Sequence, residues 1–192
     1  MVGLGLRAIA RAKRPARRPI AGWPGPRAMA RHAPSMLALT AALVAGPVPA
    51  EERRNWFDDP FLRATSALAA CPAPLGPLIT EGEMKAQAHD RAQRGTSCWL
   101  AGRCRLHNAY LYDPEIAPRV VKAILADGRF AADSSIWVLL QRRQVFLQGC
   151  VSSPGQAAAL RDLIGRIDDV EGVVDQLMVG SDGAPPYPVG AH

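Results

Sequence analysis

No apolar run in this chain approaches the ~20 residues that a helix needs to cross a bilayer. The most compact one, MLALTAALVA at 36–45, is about half that length, so no spanning anchor is expected. Phosphate-loop and dinucleotide glycine patterns are missing, which removes the usual nucleotide chemistries. No basic, aromatic RNA-binding pattern occurs, and aromatics are only 6% of the chain. Cys98, Cys104, His107 and His89 lack zinc spacing, and Cys104-Arg105-Leu106-His107 is not a haem-attachment sequence, so no metal site and no cofactor are expected. Catalysis lacks a nucleophile with a base and an orienting group. Ser152-Ser153 reads as a helix-capping turn rather than a nucleophile elbow, and Asp168-Asp169 with Glu171 reads as a solvated acidic helix end.

Acidic residues are absent from residues 1–50, where eight of the 23 Lys and Arg residues lie. The rest therefore holds 15 basic against 17 acidic side chains, and the whole-chain +6 becomes −2. The high pI is a property of the leader, so nucleic-acid binding is not expected. Arg31, the apolar core at 36–45 and Val48-Pro49-Ala50 before Glu51 form an export signal, with cleavage expected after Ala50. A mitochondrial transit peptide is the rival, weakened by the compact core. The long basic stretch before it makes Met29 a second candidate start. Leu68-Ala69-Ala70-Cys71 imitates a lipoprotein box but follows Arg63 and a short apolar run, so it is read as alanine-rich sequence.

Residues 51–112 form a Cys-containing irregular or helical extension, dense in turn formers around CPAPLGP, with a polar helix expected at Glu81 to Arg94. Trp56, Phe57 and Phe61 are expected to pack on a sheet face, with membrane contact as the alternative. Cys71, Cys98, Cys104 and Cys150 form an even set for an oxidising compartment, and spacing leaves three pairings. Cys98 with Cys104 would close a short loop, and Cys71 with Cys150 would staple the extension to the outward face of a strand. One local disulfide with two buried thiols is the other arrangement.

From Asp113 the pattern becomes regular. Asp113-Pro114 resembles a helix cap followed by a first-turn proline; Ile116, Val120, Ala123 and Ile124 give a helical stripe, and Pro118 places regular helix from about that residue. SSIWVLL and VFLQGCV read as a hairpin joined through Gln141-Arg142-Arg143-Gln144. Val145, Leu147 and Val151 share one face, while Phe146, Gln148 and Cys150 share the other. Ser153-Pro154-Gly155-Gln156 caps a second helix with Leu160, Leu163, Ile164 and Ile167 on its stripe. Gly172 is expected to turn the chain into a last strand through Val179. Residues 181–192 are expected to be a flexible tail.

This α-β-β-α-β order resembles the BON domain of bacterial envelope proteins. The matching positions are Ile116, Val120 and Leu125, then Ile136 and Val138, Val145-x-Leu147-x-Gly149-x-Val151, Leu163 and Ile167, Gly172-Val173, and Leu177-x-Val179. The resemblance implies an α+β domain over 113–180, with two helices on one face of a three-stranded mixed sheet. It also implies periplasmic or envelope residence and phospholipid binding, and no catalytic signature accompanies the pattern. Arg143 stands where the family usually has glycine, so a different hairpin turn is expected. Headgroup candidates are Arg119, Lys122, Arg142 and Arg143, with plain solvated charge as the alternative for each. Partners are therefore anionic phospholipid, by peripheral contact, or an envelope protein; a periplasmic protein-interaction or structural module is the second functional reading.

Overall fold

The computed structural model describes residues 51–190. The expected leader and its cleavage point after Ala50 lie outside the described residues. The elements are β1 (Phe61–Arg63), α1 (Glu81–Leu100), a 3-10 turn (Ala109–Tyr112), α2 (Asp113–Asp127), β2 (Ser135–Gln141), β3 (Gln144–Val151), α3 (Pro154–Ile164) and β4 (Gly172–Val179).

The strands form one four-stranded mixed sheet in the order β1-β2-β3-β4. The first two pairings are antiparallel and the third, from Gln144↔Gly172 to Val151↔Val179, is parallel. The expected three-stranded sheet gains β1 from the extension. A bare β2 edge would leave its peptide groups without partners, and β1 supplies them through Phe61↔Leu139 to Arg63↔Trp137.

Strand alternation gives the sheet two apolar faces. Ile136, Val138, Leu140, Val145, Leu147 and Val151 pack with α2 and α3 in the main core. Leu160 and Ile164 of α3 are fully buried there, as the stripe requires. The opposite face carries Trp137, Cys150 and Met178, and it is roofed by Cys71, Phe61, Leu68, Ala73 and Tyr187. Thus the extension and the C-terminal segment cover the outer side. Tyr187 donates to the Pro72 carbonyl at 2.8 Å, and Leu75 N–H reaches the Pro188 carbonyl at 2.7 Å, so the segment expected as a flexible tail is docked through residue 190.

Three local expectations are corrected. First, α2 starts at Asp113 and runs through Pro118. Pro118 withholds an N–H only from the carbonyl four residues back, Pro114, in the first turn, and burial of Ile116, Ala117 and Val120 outweighs that loss. Second, α1 continues past Arg94 to Leu100, started by a reciprocal Thr80/Glu83 capping box. Third, the turn before β4 uses Asp169, with φ 71°, while Gly172 lies in the strand. Gly172 is small for a different reason: a Cβ there would stand 2.4 Å from the Gln144 side-chain oxygen.

Candidate functional site

The hairpin tip joins the two halves of the domain. Arg142 and Arg143 have φ of 56° and 65°, the left-handed geometry of a two-residue hairpin turn usually filled by Asn or Gly. Arg143, which stands where the resemblance places glycine, takes a left-handed conformation that glycine adopts without strain. What holds it is Asp113, whose carboxylate accepts the N–H groups of Arg142 at 2.6 Å and Arg143 at 2.7 Å. Asp113, expected as a helix cap, therefore caps the hairpin. Burial raises its pKa to about 6, against the lowering effect of those two N–H groups.

The four headgroup candidates divide into two pairs. Arg119 Nη2 meets Asp169 Oδ2 at 3.3 Å, and Arg143 Nε donates to the Asp169 carbonyl at 2.7 Å. Arg143 also lies over the Tyr112 ring at 5.0 Å. These two side chains stitch α2 and the hairpin to the loop before β4. Arg142 instead borders a polar hollow of about 190 Å³ with Gln87, Asp90, Arg91, Arg94 and Tyr110. Lys122 is exposed at a groove of about 560 Å³ whose other walls are Leu62, Pro118, Val121, Leu125 and Ala126. Leu62 and Leu125 remain 38% and 53% exposed. Arg119 and Arg143 thus share Asp169, while Arg142 and Lys122 border different hollows.

Residues 112–181, which hold α2, β2, β3, α3 and β4, match the family model for the BON domain. Residues 112–181 thus form a BON domain. No curated protein and no solved structure gives a match. The BON match stops short of β1 and α1, so the groove beside Lys122 is built jointly by the BON helix α2 and by Leu62 of the extension.

One disulfide ties the extension to the domain and a second closes a turn within the extension. Cys71–Cys150 links it to β3 of the BON domain, on the outer face reached by strand alternation. Cys98–Cys104 closes the end of α1. With both thiols of the second pair bonded to each other, the Cys98, Cys104 and His107 cluster has no thiolate for a metal.

The aromatics near residue 57 divide their work. Only Phe61 joins the outer sheet face; Trp56 donates to the Ile79 carbonyl at 2.9 Å, and Phe57 lies 4.1 Å from the Arg91 guanidinium. Arg91 sits between the Phe57 and Tyr110 rings and pairs in two-pronged fashion with Asp59, which is 5% exposed and also takes the Gln141 amide at 2.7 Å. Sequence reasoning missed this clamp of α1 to β2. Its members are 32 and 82 residues apart, and no local pattern joins them.

Proposed function

We propose that this is a non-enzymatic, exported envelope protein, resident in the periplasm, whose BON domain attaches peripherally to anionic phospholipid. The groove beside Lys122 carries the reading: its walls are apolar, its rim bears one exposed cation, and it lies on the family's own helix α2. Apolar walls suit acyl carbons, and a lysine at the rim suits a phosphate. Two disulfides support an oxidising compartment, where such bonds persist. With residues beyond the leader at −2 overall, attraction to an anionic surface must be local rather than global.

Sedimentation with vesicles of phosphatidylglycerol in phosphatidylcholine tests it. The oxidised protein is expected to bind these and to leave pure phosphatidylcholine, with Lys122→Glu weakening binding by about tenfold, from ~1 kcal/mol per basic residue near such a surface. Binding indifferent to lipid charge, or none, sinks the reading.

A second reading, a protein-interaction or structural module, is favoured by β4. Among the described residues nothing pairs with its outer edge, and eight residues of strand suffice for strand addition by a partner. Crosslinking in the native envelope to one protein partner, with no vesicle binding, would favour it.

A further inference from the structure

Helix α1 has almost no core of its own. Of its 20 residues only Gly95 and Cys98 are buried, and its surface is laced with Lys85–Glu81 and Arg94–Asp90 pairs four residues apart. A helix this polar is a solvent-facing strut rather than a packing element. Its end is the opposite. Trp99 is 48% exposed and Leu100 is 79% exposed, side by side on the last turn.

That end is held rigid. Gly102, with φ of 67°, reverses the chain and returns its N–H to the Trp99 carbonyl at 2.9 Å; Arg103 N–H reaches the Cys98 carbonyl at 2.9 Å, and Cys98–Cys104 closes the turn. Cys104 and Leu106 then pack against the main core, and Gly95 lies so close to Asn108 that a Cβ there would sit 2.6 Å from its side-chain oxygen. A disulfide-locked turn thus holds an indole and a leucine in solvent without freedom to collapse onto the domain.

Along the sequence, the charges of the turn itself have one sign. Between Asp90 and Asp113 there is no acidic residue, while Arg91, Arg94, Arg103 and Arg105 are present. Arg91, Arg94 and Arg105 are paired with carboxylates, whereas Arg103 has no ion-pair partner among the described residues.

We propose that the Cys98–Cys104 turn is a membrane-contact tip, with Trp99 and Leu100 entering the interfacial layer of an anionic bilayer and Arg103 meeting its phosphates. The proposal rests on the membrane-attachment reading above and adds a contact outside the BON match. A bilayer fits better than a protein partner because two projecting side chains on a tight turn fall far short of the ~1,200 Å² that a stable protein interface buries. Trp is at home at the headgroup level, with its ring in the apolar layer and its N–H near water. Fixing the turn in advance lowers the ordering cost of insertion.

The test uses the full chain, oxidised, with phosphatidylglycerol vesicles carrying bromine on the acyl chains. Quenching of tryptophan fluorescence is compared between wild type and Trp99→Phe, a change at an exposed position that isolates the Trp99 signal from the other three tryptophans. Wild type is expected to show a quenched component that Trp99→Phe lacks, and Leu100→Ser with Arg103→Glu is expected to lower vesicle affinity by about tenfold or more. Opening the turn by Cys98→Ser with Cys104→Ser is expected to weaken the quenching. Vesicle binding with identical quenching in wild type and Trp99→Phe overturns the tip and leaves the groove reading standing. No vesicle binding by wild type overturns both.

Discussion

The carboxylate of Asp113 accepts the backbone N–H of Arg143 at 2.7 Å across 30 residues of sequence, and the N–H of Arg142 beside it at 2.6 Å. One side chain at the start of α2 thereby holds two consecutive left-handed residues that have no glycine to relieve them. Asp113→Ala is expected to destabilise the fold by about 2 kcal/mol, because two part-buried amides lose their acceptor. Urea denaturation measures it; an unchanged midpoint would show that the turn supports itself.

The same carboxyl gives a pH signature. Its folded pKa of about 6 lies above the ordinary 3.8, so between those values the folded state holds the proton more tightly than the unfolded one. Stability from this group is therefore highest below about pH 4 and falls as pH rises to about 6, by ~3 kcal/mol at full effect. Relative to Asp113→Asn, the wild type should lose stability across that window and run parallel above it. A constant difference from pH 4 to 7 would contradict the raised pKa.

Arg142 and Arg143 have the same backbone geometry and different surroundings. Arg142→Gly should stabilise by about 1 kcal/mol, since it relieves a left-handed residue whose side chain makes no hydrogen bond among the described residues. Arg143→Gly should gain nothing, as it also forfeits the Asp169 carbonyl and the Tyr112 ring. Thermal melts of the two variants should order Arg142→Gly above wild type and Arg143→Gly at or below it.

Gly149 has φ of 121°, and a Cβ there would stand 2.0 Å from the Ser135 carbonyl oxygen on the partner strand. Gly149→Ala should cost about 3 kcal/mol or more, through backbone strain and a separated β2–β3 pair. Circular dichroism melting would show it as a large drop in midpoint. A wild-type melt would mean that the strand can shift at little cost.

The two disulfides should differ in weight. Cys71–Cys150 spans 79 residues, and its removal by paired serine substitution should cost about 4 kcal/mol; Cys98–Cys104 spans six and should cost about 2 kcal/mol or less. Denaturant midpoints rank them, and equal losses would refute the loop-length argument.

What the sequence made legible was periodic. The two faces of β3, the Ser153 cap and the Leu160 to Ile167 stripe follow from spacings of two and of three or four, and those spacings also mark the outer-face position of Cys150. The BON pattern was readable for the same reason, being mostly fold positions. What was not legible depends on distant partners. Phe61 to Arg63 is three residues long, too short for alternation to reveal β1, and it is a strand because β2 needs an edge partner. Asp113 looked like a helix cap because its true partners lie 29 and 30 residues away. Arg119 and Arg143 looked like surface cations, and Asp169 draws both inward. Trp99 and Leu100 lay inside a loop noted only for its cysteines, and only exposure separates them from core residues.

The proposed export, disulfide stapling and attachment to a membrane surface meet in one measurement, the intact mass, without reductant, of the protein recovered from fractionated producing cells. A species in the envelope fraction that begins at Glu51 and keeps both disulfides is expected. A reduced cytosolic species that still begins at Met1 would contradict it.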